Sequence, residues 1–133
     1  MSDEGAVSIR LLIADDHALV RSGLRSMLQR EPGIEIVGEA RNGREAVELC
    51  RSLRPDLVLM DVRMPEMDGL EATRAIKHEC PETGVLMVTM HENPDYMLEA
   101  IKAGAAGYVL KDAARDELVD AVRRVARHAP PSH

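Results

Sequence analysis

The sequence predicts an α/β domain in which one parallel sheet carries helices on both faces. Three observations predict it. Short apolar runs recur along the chain, too short for helices and with little alternation, as expected of strands covered on both sides. Amphipathic segments at helical spacing lie between them. Proline, glycine and asparagine mark the junctions.

The first strand reads IRLLIA (9–14), followed by Val20, Leu24, Met27 and Leu28 on one helical face. Pro32-Gly33 stops that helix, and IEIVGEA (34–40), which alternates better, reads as an edge strand. Asn42-Gly43 opens a second helix whose stripe is Ala46, Leu49, Cys50 and Leu53. The third strand is LVLM (57–60); beyond Pro65, Asp68 is well placed to cap a third helix with the stripe Leu70, Thr73 and Ile76. Pro81 precedes VLMVT (85–89), and Pro94 opens a fourth helix with Met97, Ala100, Ile101 and Gly104 in line. YVL (108–110) is the fifth strand, and Leu118, Val119, Val122, Val125 and Ala126 form the last stripe. Strands alternating with helices imply right-handed crossovers. Periodicity alone leaves the strand order open. The closing APPSH reads as the beginning of a linker.

At 133 residues the chain is one domain's worth, long enough to bury a core without disulfide or metal staples. That core must be aliphatic, because Phe and Trp are absent and the only tyrosines are Tyr96 and Tyr108. Cys50 and Cys80 are unclustered, which fits a reducing compartment. The N-terminus lacks the charge and apolar pattern of a signal peptide, and no run reaches membrane-spanning length. A cytoplasmic protein without a membrane role is expected. The net charge of −6 argues against a grip on a polyphosphate backbone. The five histidines show no metal-ligand spacing.

In open α/β sheets, ligands bind outside the carboxyl ends of the strands. The first run ends in Asp15-Asp16, the third in Asp61, the fourth in Thr89 and the fifth in Lys111. Each has an ordinary explanation: Asp15 or Asp16 as a helix cap, Asp61 opening a turn, Thr89 as a β-former, Lys111 as a solvated charge. Their joint occurrence at the ends of four strands favours a site. Clustered carboxylates raise one another's pKa, and a divalent cation removes the conflict. Mg²⁺ suits such a site, since it binds one or two carboxylates, keeps waters and takes a phosphate oxygen. The combination points to phosphoryl transfer with a carboxylate as nucleophile. A G-x-x-x-x-G-K-[ST] loop is absent, and GAAG (104–107) is no dinucleotide fingerprint, so nucleotide binding is disfavoured.

Over roughly residues 9–128 the chain resembles the receiver domain of bacterial response regulators. The matching pieces are LLIADDH, LVLMDVRMPEMDGLEA, the Thr in VLMVTMH and the Lys in AGAAGYVLKD; the last is similar to the NarL/FixJ branch. The resemblance implies strand order 2-1-3-4-5, a flexible stretch at 1–8, a receiver domain at 9–128, and a linker from 129–133 to a C-terminal helix-turn-helix domain outside this chain. It implies that Asp61 takes a phosphoryl group from a histidine kinase, with Mg²⁺ held by Asp16 and Asp61 directly, by Asp15 mostly through water, and by the Arg63 backbone carbonyl. Lys111 would pair with the carboxylate and then the phosphoryl group. Thr89 would move onto the phosphoryl oxygen and let Tyr108 turn inward, a switch that could control homodimerisation. DNA would be bound only through the missing domain. Arg63 and His91 stand where phosphoryl lifetime is tuned, and Arg63 is expected to shield the acyl phosphate from water. Many relatives have proline after the lysine, often with a cis bond; here the residue is Asp112, which leaves the isomer open.

Other readings compete. An aspartate-nucleophile phosphatase of the haloacid-dehalogenase type also places an Asp at a strand end, but needs a second Asp where Arg63 stands. A phosphorylation-independent docking module usually loses part of the acid–Thr–Lys set. A stand-alone receiver read by other proteins is the third alternative. The basic residues of DAVRRVAR (120–127) read as a solvated face or a domain contact.

Overall fold

A computed structural model describes residues 8–90 and 93–127. The expected flexible start, the linker and His91 fall wholly or almost wholly outside these residues. The elements run β1 (Ile9–Ala14), α1 (Ala18–Leu28), β2 (Ile34–Ala40), α2 (Gly43–Leu53), β3 (Leu57–Asp61), α3 (Gly69–Glu79), β4 (Gly84–Thr89), α4 (Pro94–Ala103), β5 (Gly107–Leu110) and α5 (Arg115–Arg127). The five strands form one parallel sheet in the order β2-β1-β3-β4-β5. The alternating run at 34–40 is indeed an edge strand, and its register against β1 slips between Leu11 and Leu12.

The strands read as continuous apolar runs because alternate residues feed two cores. Leu12, Ala14, Val58, Met60, Val85 and Met87 pack with α2 and α3 on one face. Leu11, Ile13, Leu57, Leu59, Leu86 and Val88 pack with α1 and α5 on the other. Asn42 accepts the Glu45 N–H at 2.8 Å and caps α2. Asp68 caps α3 through a reciprocal capping box with Glu71, as its spacing predicts. Cys50 and Cys80 are free and buried, and burial pushes the Cys50 thiol up to about 12.

The fourth helix departs from its expected stripe. Ala100 and Ala103 are its buried residues, whereas Ile101 is 61% exposed and Leu98 52%. Ala100 faces the sheet, and Ile101, one residue on, is turned about 100° away from it. Only methyl groups therefore anchor the middle of α4. Asn93 caps its start, and Gly104, at φ 107°, ends it.

Candidate functional site

The residues that end the strands meet at one edge of the sheet. Asp15 and Asp16 follow β1, Asp61 is the last residue of β3, Thr89 ends β4 and Lys111 follows β5. The ordinary explanations fail for several of them. The N-cap position of α1 is His17, not Asp15 or Asp16. Lys111 is no solvated charge, since its side chain is 8% exposed.

Lys111 Nζ lies 2.8 Å from Asp15 Oδ2 and 3.2 Å from Asp61 Oδ1. The other oxygen of Asp15 accepts the His17 backbone N–H at 2.9 Å. The Lys111 N–H donates to the Thr89 carbonyl at 2.6 Å, which ties the loop after β5 to the end of β4. Burial and the neighbouring Asp15 carboxylate push Asp61 from 3.8 up to about 6, despite the opposing pull of Lys111. For Lys111, burial works against the charged form, but its hydrogen bond to Asp15 and the charges of Asp61 and Asp15 outweigh it and raise the pKa.

Among the buried side-chain oxygens and nitrogens of the described residues, Asp16 Oδ1 stands without a hydrogen-bond partner. His17 Nδ1 stands 3.2 Å from it, within ion-pair range but not aligned for a hydrogen bond. Asp15, Asp16, His17 and Asp61 each bring a possible ligand atom within 4.8 Å of the others. Clustered carboxylate oxygens, one of them orphaned, are the donor set a hard cation takes, so these residues fit Mg²⁺.

The loop between β3 and α3 is held from both ends. Gly69 donates its N–H to the Val62 carbonyl at 2.7 Å, and Gly43 donates to Met67 at 2.9 Å. Both close approaches require glycine: a Cβ at Gly69 would stand 2.0 Å from the Asp61 carbonyl oxygen, and one at Gly43 2.1 Å from that of Met67. Glu66 turns the loop with φ 68°.

Asp61, Arg63, Thr89 and Lys111 line one cleft of roughly 310 Å³, together with His17 and Tyr96. Arg63 donates a hydrogen bond to the Tyr96 hydroxyl, and its guanidinium lies 5.4 Å from the centre of that ring. Tyr108 lies elsewhere, half-buried on β5 opposite Met87 and lining a separate cavity beside Lys77 and Arg124. The peptide bond between Lys111 and Asp112 is trans.

Sequence reasoning missed His17 and the Arg63–Tyr96 contact. His17 directly follows the acidic pair, and that adjacency was the available signal. Nothing in the sequence pairs Arg63 with a residue on α4.

The family model described as the response regulator receiver domain matches residues 11–123. The transcriptional regulatory protein DegU of Brevibacillus brevis is 40% identical over 119 residues, covering 90% of this chain and 50% of that protein. The response regulator GacA of Pseudomonas aeruginosa is 44% identical over 117 residues, covering 88% and 55%. Among solved structures, the signal receiver domain of NarL from Mycobacterium tuberculosis superimposes with a TM-score of 0.87 at 39% identity, covering 92% of this chain and 98% of that one. The chain spans about half the length of the two curated relatives named above.

Proposed function

Because the chain belongs to the response regulator receiver domain family, we propose that Asp61 is the carboxylate that takes a phosphoryl group from a histidine-kinase phosphohistidine. The observation that carries this reading is the position of Lys111, nearly sealed from solvent between Asp15 and Asp61. An ammonium there neutralises the nucleophile at rest and can follow the charge onto a phosphoryl oxygen.

An Asp61 Oδ attacks the phosphorus, an O–P bond forms, the donor's N–P bond breaks, and the electron pair stays on the imidazole nitrogen. Asp16, Asp61 and the Arg63 carbonyl would hold Mg²⁺, with Asp15 mostly through water. When bound, the ion supplies positive charge to the phosphoryl oxygens. Mg²⁺ prefers oxygen donors, which leaves His17 outside its shell. Lys111 stabilises the product, and the buried Thr89 offers its hydroxyl to it. The acyl phosphate is then lost slowly to water in the same cleft.

Phosphorylation adds a charge of roughly −1.5 to −2, and the protein responds only as far as that charge distinguishes two conformations. Thr89 and Tyr108 are the proposed switch pair, and homodimerisation the proposed response. Transcriptional output would pass through a C-terminal DNA-binding domain, in keeping with the relative DegU being a transcriptional regulatory protein. The proposed setting is the cytoplasm; among the described residues no helix is long and apolar enough to cross a membrane.

Intact mass spectrometry after incubation with acetyl phosphate and Mg²⁺ tests the reading. One phosphoryl adduct, dependent on Mg²⁺ and lost in Asp61→Asn, is the expected result. No adduct on the wild-type protein would overturn it.

A further inference from the structure

Arg63 and Tyr96 meet across the cleft, and neither has a role that requires the other in the reading above. Arg63 stands two residues after Asp61, on the loop that leaves β3. Tyr96 lies in the first turn of α4 and is half-buried against the core. The guanidinium donates to the tyrosine hydroxyl and lies against the ring, and among the described residues it pairs with no carboxylate. Its partner at rest is therefore a neutral hydroxyl and a ring face.

A phosphoryl group on Asp61 changes that balance. Hydrogen bonds to an ionised acceptor are roughly twice as strong as neutral ones, and Arg63 and Asp61 already share the cleft. Tyr96 must then compete with a nearby dianion for one guanidinium. The helix that carries Tyr96 buries only Ala100 and Ala103, so it has few apolar contacts to resist a shift.

We propose that Tyr96 is a positioning residue for the phosphoacceptor site: it holds the Arg63 guanidinium at the cleft wall and yields it to a phosphoryl group on Asp61. The inference rests on phosphorylation of Asp61 and adds a link from that residue to α4 which does not run through Thr89 or Tyr108. Loss of the guanidinium leaves the first turn of α4 free to reorient, with Leu98 and Ile101 exposed just beyond it.

The chain has two tyrosines, so tyrosine labelled with carbon-13 at Cζ gives two resonances, and Tyr96→Phe assigns them. Spectra are recorded with Mg²⁺, before and after acetyl phosphate, and the adduct is followed by mass in the same samples. The Tyr96 resonance of the wild type should move on phosphorylation toward its position in unphosphorylated Arg63→Ala, and the Arg63→Ala resonance should stay in place. Tyr96→Phe, which keeps the ring, should change the rate of phosphorylation by about two- to tenfold, the span of one hydrogen bond, and that effect should vanish in an Arg63→Ala background. An adduct with an unmoved Tyr96 resonance, or an equal effect of Tyr96→Phe in both backgrounds, overturns the inference alone. No adduct overturns the phosphoacceptor reading and the inference with it.

Discussion

Lys111 Nζ stands 3.2 Å from Asp61 Oδ1, and each side chain is only 8% exposed. The dependence runs one way: removing Lys111 leaves two buried carboxylates without their counter-charge, whereas Lys111 keeps Asp15, at 2.8 Å, when the charge on Asp61 is lost. Lys111→Met is expected to cost about 3–5 kcal/mol of stability at pH 8. At pH 5 the cost should be smaller, since Asp61, already raised to about 6, then takes up a proton and no longer needs the ammonium. Urea unfolding at the two pH values checks this, and an equal loss at both would show that the pairing with Asp61 is not what stabilises the site.

The pKa of Asp61 makes a second prediction, of opposite sign to the usual carboxylate. Burial and Asp15 raise it from 3.8 to about 6, so the folded protein binds a proton more tightly than the unfolded chain does. Stability from this group is present at low pH and is lost as pH rises from about 4 through about 6. Without divalent cations, Asp61→Asn should therefore be more stable than wild type at pH 8, on the order of 1–2 kcal/mol once solvent at the cleft mouth is allowed for. The gap should close near pH 4. Denaturation series in chelator at both ends of the range measure it; a gap that stays constant with pH would assign the strain to something other than the charge.

Gly69 fixes where Asp61 stands. A methyl group there would meet the Asp61 carbonyl oxygen at 2.0 Å, and the oxygen belongs to backbone that cannot rotate aside. Gly69→Ala should destabilise the fold by about 1–3 kcal/mol, the range for forcing atoms into packed space, and should also slow phosphorylation by moving β3's last residue. Unfolding midpoint and phosphorylation rate are read on the same variant. A loss of stability with an unchanged rate would mean that the loop absorbs the shift without disturbing the carboxylate.

The residues of the site were legible because strand ends are legible. IRLLIA, VLMVT and YVL each stop within a residue of their observed ends, and the polar residue that follows or closes each run inherits its place from the strand. The cap at Asp68 was equally local: an acid followed three residues later by Glu71 satisfies both ends of the same turn. The phase of α4 was not, because its buried face is made of alanines, and Ile101 outweighs them in any hydrophobic pattern while pointing to solvent. Nor was the contact of Arg63 with Tyr96, which joins residues 33 apart through side chains alone. Strand order was closed to periodicity, which says nothing of which strands pair, but the order 2-1-3-4-5 implied by the resemblance is the one observed.

Asp68 separates stability from chemistry. Its carboxylate accepts the Glu71 N–H at 2.8 Å while the Glu71 carboxylate accepts the Asp68 N–H at 3.2 Å. Asp68→Ala should lose about 1 kcal/mol, as capping residues do, and should leave the phosphorylation rate of the folded protein unchanged. A slower rate at full folding would draw Asp68 into the site.

Arg63 gives the last prediction. Its side chain is exposed at the cleft wall, two residues beyond the acceptor, where a guanidinium turned toward a phosphoryl group would occupy the approach of water. Losing one charge-assisted hydrogen bond costs about 1.5 kcal/mol, which as a barrier difference is roughly tenfold in rate. Arg63→Ala should therefore shorten the lifetime of the phosphorylated protein about tenfold, measured by the decay of the phosphorylated mass after acetyl phosphate is removed. Arg63→Lys should fall between, because an ammonium keeps the charge but not the planar fork. Were the alanine variant to decay at the wild-type rate, Arg63 would be no shield, and its hold on Tyr96 would have to matter for the conformation alone.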